Sequence, residues 1–386
     1  MLDGTNVVLG VTGSIAAVKT VELAHELRRQ GATVRAVITD GARGIIHPWA
    51  LEFATDRPVV TEITGQVEHV EFFGDDPWAD VLLIAPSTAN TVGKIAAAID
   101  DTPVTTCATV ALGADIPVVI APAMHEPMYD HPGVLDALDR LEAWGIEFVD
   151  PRVEEGKAKI ATEEAITTAV ARAVGPAPLA GTHVVVTSGP TREAIDPIRV
   201  LTNRSSGKTG RAVARACYVR GADVTLVQAD DADPPYATVE PAERTADMVE
   251  AVLAAVEAND ADAVISAAAL ADYTVTPREQ KIRSGQQFTL ELEPTPKLLD
   301  RVRETYPDLP LVGFKTETDA DDEALIDAAR GVRDRVDAAF VVANDASVMQ
   351  RDTTRVLFVT DTDHEAFEGS KLDLGTALAD RLAAVL

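Results

Sequence analysis

A short apolar run, a glycine-bearing turn, an amphipathic stretch, a Gly-Ala stop and a second apolar run occur twice in this chain. That order leaves few folds open. The first copy is residues 5–11 (TNVVLGV), the turn Thr12-Gly13-Ser14, a helical face of Ala17, Val21, Ala24 and Leu27, then Gly31-Ala32 and residues 33–38 (TVRAVI). Strand, turn, helix and strand make a βαβ unit, which requires parallel strands and a right-handed crossover. The second copy is residues 183–187 (HVVVT), a helix over 210–220, Gly221-Ala222-Asp223 and a strand over 224–227. Residues 78–85 (WADVLLIA) and 260–267 (DADAVISA) correspond in the same way. Further strands are expected at 80–85, 116–121, 309–314, 339–343 and 356–360, with a helix from about Lys371 closing the chain. Gly175-Pro176-Ala177-Pro178 suits neither helix nor strand and reads as a linker. The expectation is α/β: two doubly wound Rossmann-like domains, over 1–178 and 179–386.

Charge narrows the partners. There are 62 acidic residues against 34 basic ones, a net charge of -28, and only nine lysines. Nucleic-acid backbones and anionic membranes are recognised by clustered Lys and Arg, so neither is expected as a partner. Evenly spread acidity with few lysines resembles the proteins of salt-loving organisms, where molar salt screens repulsion beyond about 3 Å. Two cysteines, Cys107 and Cys217, lie in apolar surroundings without metal-ligand spacing and read as buried structural thiols. The start lacks a basic, apolar leader, and no apolar run approaches ~20 residues, so a soluble cytoplasmic protein is expected.

Open parallel sheets bind ligands beyond the carboxyl ends of their strands. In the first half those ends carry Gly13-Ser14-Ile15, Thr39-Asp40, Pro86-Ser87-Thr88-Ala89-Asn90 and Pro122-Ala123-Met124-His125. Small residues and hydroxyls there suit a phosphate; singly, Ser14, Thr39 and Ser87 read equally as helix caps. Residues 10–15 (GVTGSI) do not fit G-x-G-x-x-G, and no acidic ribose ligand follows the second strand, so a mononucleotide is favoured over NAD. In the second half, Ser205-Ser206-Gly207-Lys208-Thr209 resembles the end of a Walker A loop, but Thr202 stands where its first glycine belongs. It is either a phosphate loop or a helix start with a solvated lysine. Three more residues stand out: His69 among Val67, Val70 and Phe72; Lys281 in a polar loop over 276–287; and Asp272 beyond the 263–266 strand. Their bland readings are a satisfied histidine, a solubilising lysine and a turn aspartate.

In order and spacing these segments resemble the bifunctional phosphopantothenoylcysteine decarboxylase/phosphopantothenate–cysteine ligase family of coenzyme A biosynthesis. The likeness covers nearly the whole chain. Its motifs are Gly13-Ser14-Ile15-Ala16-Ala17, His69, Ala85-Pro86-Ser87-Thr88-Ala89-Asn90 and Pro122-Ala123-Met124 in the first half. In the second they are Gly189-Pro190-Thr191-Arg192-Glu193, Asp196-Pro197-Ile198-Arg199, residues 202–208 (TNRSSGK), Ala271-Asp272-Tyr273, Lys281-Ile282-Arg283 and Ala343-Asn344-Asp345.

The resemblance implies a flavodoxin-like domain followed by a ligase domain. It implies FMN on Gly13, Ser14, Ile15, Thr39, Ser87, Thr88, Ala89, Asn90 and Ala123. CTP, or ATP, with Mg2+ would lie on Ser266, Ala267, Ala268, Asp272, Lys281 and Phe314-Lys315-Thr316-Glu317; the metal ligands are not identified. The ligase would convert 4′-phosphopantothenate to an acyl-cytidylate with release of pyrophosphate, and cysteine would displace CMP. Lys281 would balance charge at the α-phosphate, and Asn203 would serve turnover of the intermediate. His69 would be the catalytic histidine of a decarboxylase that oxidises the cysteinyl thiol with FMN, loses CO2 and reduces the enethiolate. Trimeric flavoprotein domains and dimeric ligase domains, together up to a dodecamer, are implied as well. Three positions depart from the family pattern. His125 replaces an asparagine, residues 155–160 (EGKAKI) lack the flap cysteine so that Lys157, Lys159 or His125 would have to donate its proton, and Arg283 replaces a lysine. The rival readings are a ligase fused to a flavin domain with impaired decarboxylation and a flavin-binding regulatory subunit.

Overall fold

The computed structural model describes residues 1–154, 157–285, 287–348 and 353–386. Two compact units divide the chain, Met1–Gly175 and Pro176–Leu386.

The first unit is built on five parallel strands in the spatial order Thr33–Ile38, Asn6–Val11, Val81–Ser87, Val118–Pro122 and Glu147–Phe148. In chain order this is 2-1-3-4-5, the flavodoxin-like arrangement, with its switch point between Asn6–Val11 and Val81–Ser87. Helices cover both faces, which is why the strands are continuous apolar runs: Val7, Val8, Leu9 and Val11 are all fully buried. Residues 15–19 form a tight 3₁₀ turn before the helix Thr20–Arg29. Its three-residue period rotates the inward face, so Thr20 and Leu23 are buried with Ala17, Ala24 and Leu27, while Val21 is half-buried. His69 lies in a short helix, Glu68–Phe73, whose Phe72 and Phe73 enter the core beside Leu82, Ile84 and Cys107. Arg35 fastens that helix to the sheet, with its guanidinium 4.4 Å over the Phe72 ring and hydrogen-bonded to Glu71.

The second unit carries eight strands in the order Thr238–Pro241, Asp223–Gln228, His183–Ser188, Ala263–Ser266, Leu311–Glu317, Phe340–Asp345, Thr353–Val359 and His364–Ser370. The first six are parallel in the Rossmann order 3-2-1-4-5-6, and the last two are added antiparallel. Alternate residues of a strand enter opposite cores: Val185 one, Val184 and Val186 the other. The strand His364–Ser370 escapes a sequence reading because it lies at the edge, where only Phe367 packs inward and its neighbours are charged or small. The short hairpin Arg192–Ala194/Val200–Thr202 and the pair Tyr273–Thr274/Glu293–Pro294 were likewise not foreseen.

Cys107 and Cys217 are buried and unpaired, and burial pushes both thiols up to about 12. Neither should react with a maleimide in the folded protein, and both should react after denaturation. Labelling of either in the native state would contradict this placement.

Candidate functional sites

In the first unit the strand ends open on a cavity of about 800 Å³ lined by Gly13, Thr39, Thr88 and Asn90, together with Gly41 and Thr102. Gly13 is needed for space: a Cβ there would lie 3.1 Å from the carbonyl carbon of Gly41. Ser14, Thr39 and Thr88 each accept a hydrogen bond from a helix-start amide, at 3.4, 3.3 and 3.3 Å. The cap reading is therefore true of Ser14 and Thr39. It fails for Ser87, the last residue of its strand, which is fully buried and whose Oγ has no partner among the described residues. The next helix is capped by Thr88 instead. Ile15 and Ala89 follow the same strand ends, and Ala123 donates its amide to the Ser87 carbonyl at 2.9 Å; none of these three lines the cavity, nor do Ser14 and Ser87. The close pair Gly13 and Gly41 and the hydroxyls of Thr39, Thr88 and Thr102 give the cavity a small, polar lining that fits a flavin mononucleotide.

His69 is half-buried, and its Nδ1 is buried without a hydrogen-bond partner among the described residues. Val67, at the start of its helix, sits in the left-handed region (φ 51°, ψ 52°), a conformation that costs a β-branched residue on the order of 1–3 kcal/mol. The two departures from the family pattern in this half meet in space. Met124–His125 forms an antiparallel sheet with Lys157–Lys159 and Arg152–Glu154, with His125 opposite Lys157. Glu155 and Gly156 lie outside the described residues, as does the Lys157 side chain.

In the second unit the strand ends surround a cavity of about 450 Å³. It brings together Asn203, Ser266, Ala267, Ala268, Asp272, Phe314, Lys315 and Thr316, leaving out Lys281 and Glu317. Asn203 braces two of its walls, with Nδ2 donating to the Ala269 carbonyl and Oδ1 accepting from the Ser205 amide at 3.0 Å. Gly207 is left-handed (φ +71°), and a Cβ would lie 3.2 Å from Gly189 Cα. Ser188 donates to the Gly207 carbonyl at 2.9 Å, and Arg211 holds the loop through the Ser206 carbonyl (2.8 Å) while paired with Asp230 (2.7 Å). The helices Lys208–Val219 and Leu298–Thr305 begin at Gly207 and Lys297 without a side-chain cap. Lys208, Lys297, Lys315 and Lys371 line the cavity with Arg335, against one carboxylate, Asp272. Four of nine lysines thus converge on one hollow in a chain of net charge -28. Lys297 bonds Asp272 at 2.6 Å, and Lys315 pairs with Glu317 at 2.9 Å.

Both units match known families. Residues 1–175 match the family model described as Flavoprotein, and residues 179–386 match that of the DNA/pantothenate metabolism flavoprotein C-terminal domain. The "Coenzyme A biosynthesis bifunctional protein CoaBC" of Thermococcus kodakarensis is 49% identical over 361 residues, covering 93% of this chain and 89% of that one. Its namesakes in Methanocaldococcus jannaschii and Bacillus subtilis are 36% and 35% identical, over 99% and 100% of this chain and 94% and 98% of theirs. The chain belongs to this bifunctional coenzyme A biosynthesis family.

In the bifunctional protein, the Asp196-Pro197-Ile198-Arg199 motif has a structural task. The buried Asp196 carboxylate accepts from the amides of Ile198 (2.8 Å), Arg199 (2.9 Å) and Ile282 (3.0 Å) and from the Arg199 guanidinium. Burial pushes its pKa up, but these donors outweigh it and bring the group down to about 2. This contribution to stability is complete above the ordinary carboxyl value and is lost as pH falls through about 2. Ile282 is thereby fastened beside Lys281, which stays exposed. Glu193 was not singled out for a role. It is buried and accepts from the Thr245 amide and the Thr274 hydroxyl, both at 2.8 Å, fixing the stretch that follows Asp272. Among the described residues no group of three His, Cys, Asp or Glu forms a metal site. Nor is any helix there long and apolar enough to cross a membrane.

Proposed function

We propose that the second unit is the phosphopantothenate–cysteine ligase and the first the FMN-dependent phosphopantothenoylcysteine decarboxylase. The observation that carries the ligase reading is the cationic cavity around Asn203 and Asp272. A carboxylate is a poor electrophile, and joining it to cysteine needs a leaving group, which a nucleoside triphosphate supplies. Lysines gathered at one hollow of a highly acidic chain raise the local concentration of a polyanion. Lys208 and Lys297, at uncapped helix starts, oppose phosphate charge, and Lys281 balances the α-phosphate as the 4′-phosphopantothenate carboxylate attacks. Asn203 keeps the two loops at the spacing that exposes the acyl-cytidylate to the cysteine amine. CTP is the favoured triphosphate, with ATP the alternative. Mg2+ accompanies it, held mainly by phosphates, with Asp272 the one lining carboxylate.

In the first unit, Gly13, Thr39, Thr88, Asn90 and the orphaned Ser87 hydroxyl would hold FMN. Bound FMN supplies reversible two-electron oxidation of the cysteinyl thiol. His69 moves the proton during that step, and Lys159, Lys157 or His125, on one small sheet, protonate the product after CO2 leaves. The exposed Ile15, Trp49 and Phe53, more than 70% accessible, support association with further copies as trimers, with dimeric ligase units completing a larger homo-oligomer. The net charge of -28 supports a cytoplasm rich in salt.

The test is mass analysis of products from 4′-phosphopantothenate, cysteine and CTP or ATP in molar KCl. Phosphopantetheine, CMP and pyrophosphate are expected with CTP. Accumulation of 4′-phosphopantothenoylcysteine would favour the impaired-decarboxylase reading, and no product at all would reject the ligase.

A further inference from the structure

We propose that Glu68 is the positioning residue for His69. The inference rests on the assignment of His69 to the decarboxylase step.

The His69 ring has no hydrogen-bond partner on its buried Nδ1 among the described residues, so no bond there orients it. Its place is inherited from the backbone, and His69 is only the second residue of its helix. The far end of that helix is secured by Phe72, Phe73 and the Arg35–Glu71 contact. The near end lacks a side-chain cap and passes through the left-handed Val67.

Glu68 supplies what is missing. It is 9% exposed in a chain that otherwise keeps most carboxylates in water. The side chain turns back and accepts from the Thr64 amide at 2.9 Å and from the Thr64 hydroxyl. The same threonine accepts the Gln66 amide on its Oγ1 at 3.2 Å and the Val67 amide on its carbonyl at 3.1 Å. Four hydrogen bonds therefore close one turn on Thr64, and the residue at the end of that turn is the neighbour of His69. The Thr64 hydroxyl, more than any other group, holds the Glu68 carboxyl below its ordinary value, so it accepts as a carboxylate at neutral pH. A turn locked this way keeps a β-branched residue in an unfavourable conformation, and the backbone direction into His69 follows from it.

Three variants in the FMN-loaded, full-length enzyme test this. Glu68→Ala removes the tether. Its single-turnover CO2 release should fall by about 10²-fold, the scale on which a misplacement near 1 Å acts, with the KM for 4′-phosphopantothenoylcysteine and the FMN content unchanged. Glu68→Gln keeps an oxygen that accepts from Thr64 but carries no charge, and it should retain the parental rate. Thr64→Val loses the hydroxyl alone and should fall between them, which also keeps the test alive if Glu68→Ala does not fold. Independently of activity, hydrogen exchange at residues 66–69 should quicken in Glu68→Ala and stay protected in Glu68→Gln. Parental activity in Glu68→Ala, or equal loss in Glu68→Ala and Glu68→Gln, would overturn the proposal, the second outcome assigning the effect to charge. His69→Asn runs beside them: if it is fully active, the assignment of His69 itself has failed, whatever the Glu68 variants do.

Discussion

Lys281→Gln should stop pyrophosphate release from CTP and 4′-phosphopantothenate, and no acyl-cytidylate should be detectable by mass spectrometry. Losing one charge-stabilising contact in a transition state typically slows a reaction by 10²–10³-fold. The glutamine stays polar and keeps most of the reach of the side chain but carries no charge against the α-phosphate. Lys281 lies outside the lining of the cavity, while Ile282 beside it is locked by Asp196. The chain around Lys281 should therefore stay in place, and the loss should appear in the rate more than in nucleotide binding. Asn203→Asp should behave differently. The Asn203 amide donates to the Ala269 carbonyl; a carboxylate there sets oxygen against oxygen and opens the brace between the two loops. Pyrophosphate should still be released, and the acyl-cytidylate should accumulate. Equal loss of the intermediate in both variants would refute this division of labour.

The second large effect belongs to His69. His69→Asn should retain FMN, because the flavin contacts proposed here lie on the strand ends, and should lose CO2 release by about 10²–10⁴-fold, the range general acid–base groups contribute. An asparagine amide approximates the shape of the ring but takes up no proton near neutral pH. Absorbance of the flavin during a single turnover separates the steps. If bleaching and CO2 release persist in this variant, the proton passes elsewhere. The obvious place to look would then be the small sheet where His125 faces Lys157.

The parallel strands were legible because helices cover both faces and leave each strand a continuous apolar run, as in Val81–Ser87. The edge strand His364–Ser370 alternates between water and a single aromatic contact, so nothing in its sequence separates it from a charged loop. At the sites, the strand-end rule located Gly13, Thr39, Thr88 and Asn90, and later Asp272, since those positions follow from topology alone, whereas Ser266 to Ala268 were reached by likeness to the family. The residues that escaped act through partners that spacing does not announce. Arg211 reaches Asp230, Lys297 reaches Asp272, and Glu193 reaches Thr245, across 19, 25 and 52 positions. Glu68 was hidden for another reason: an acidic residue on a short helix in an acidic chain reads as one more solvated charge. The Asp196–Arg199 motif was recognised by likeness, but its purpose required the loop carrying Ile282 to fold back onto it.

The eight-stranded sheet has two rims, Thr238–Pro241 and His364–Ser370, and each bears a deterrent to fibre-like stacking of chains. On the first rim Pro241 removes a donor that an incoming strand would need. On the other, Glu365 and Glu368 offer repulsion, although Glu365 is already engaged by Arg381. In molar salt the repulsion fades to a range of about 3 Å, whereas a missing N–H is indifferent to ions. The two rims therefore age differently as salt is concentrated. If this protein aggregates on drying, the His364–Ser370 side is where self-association should begin.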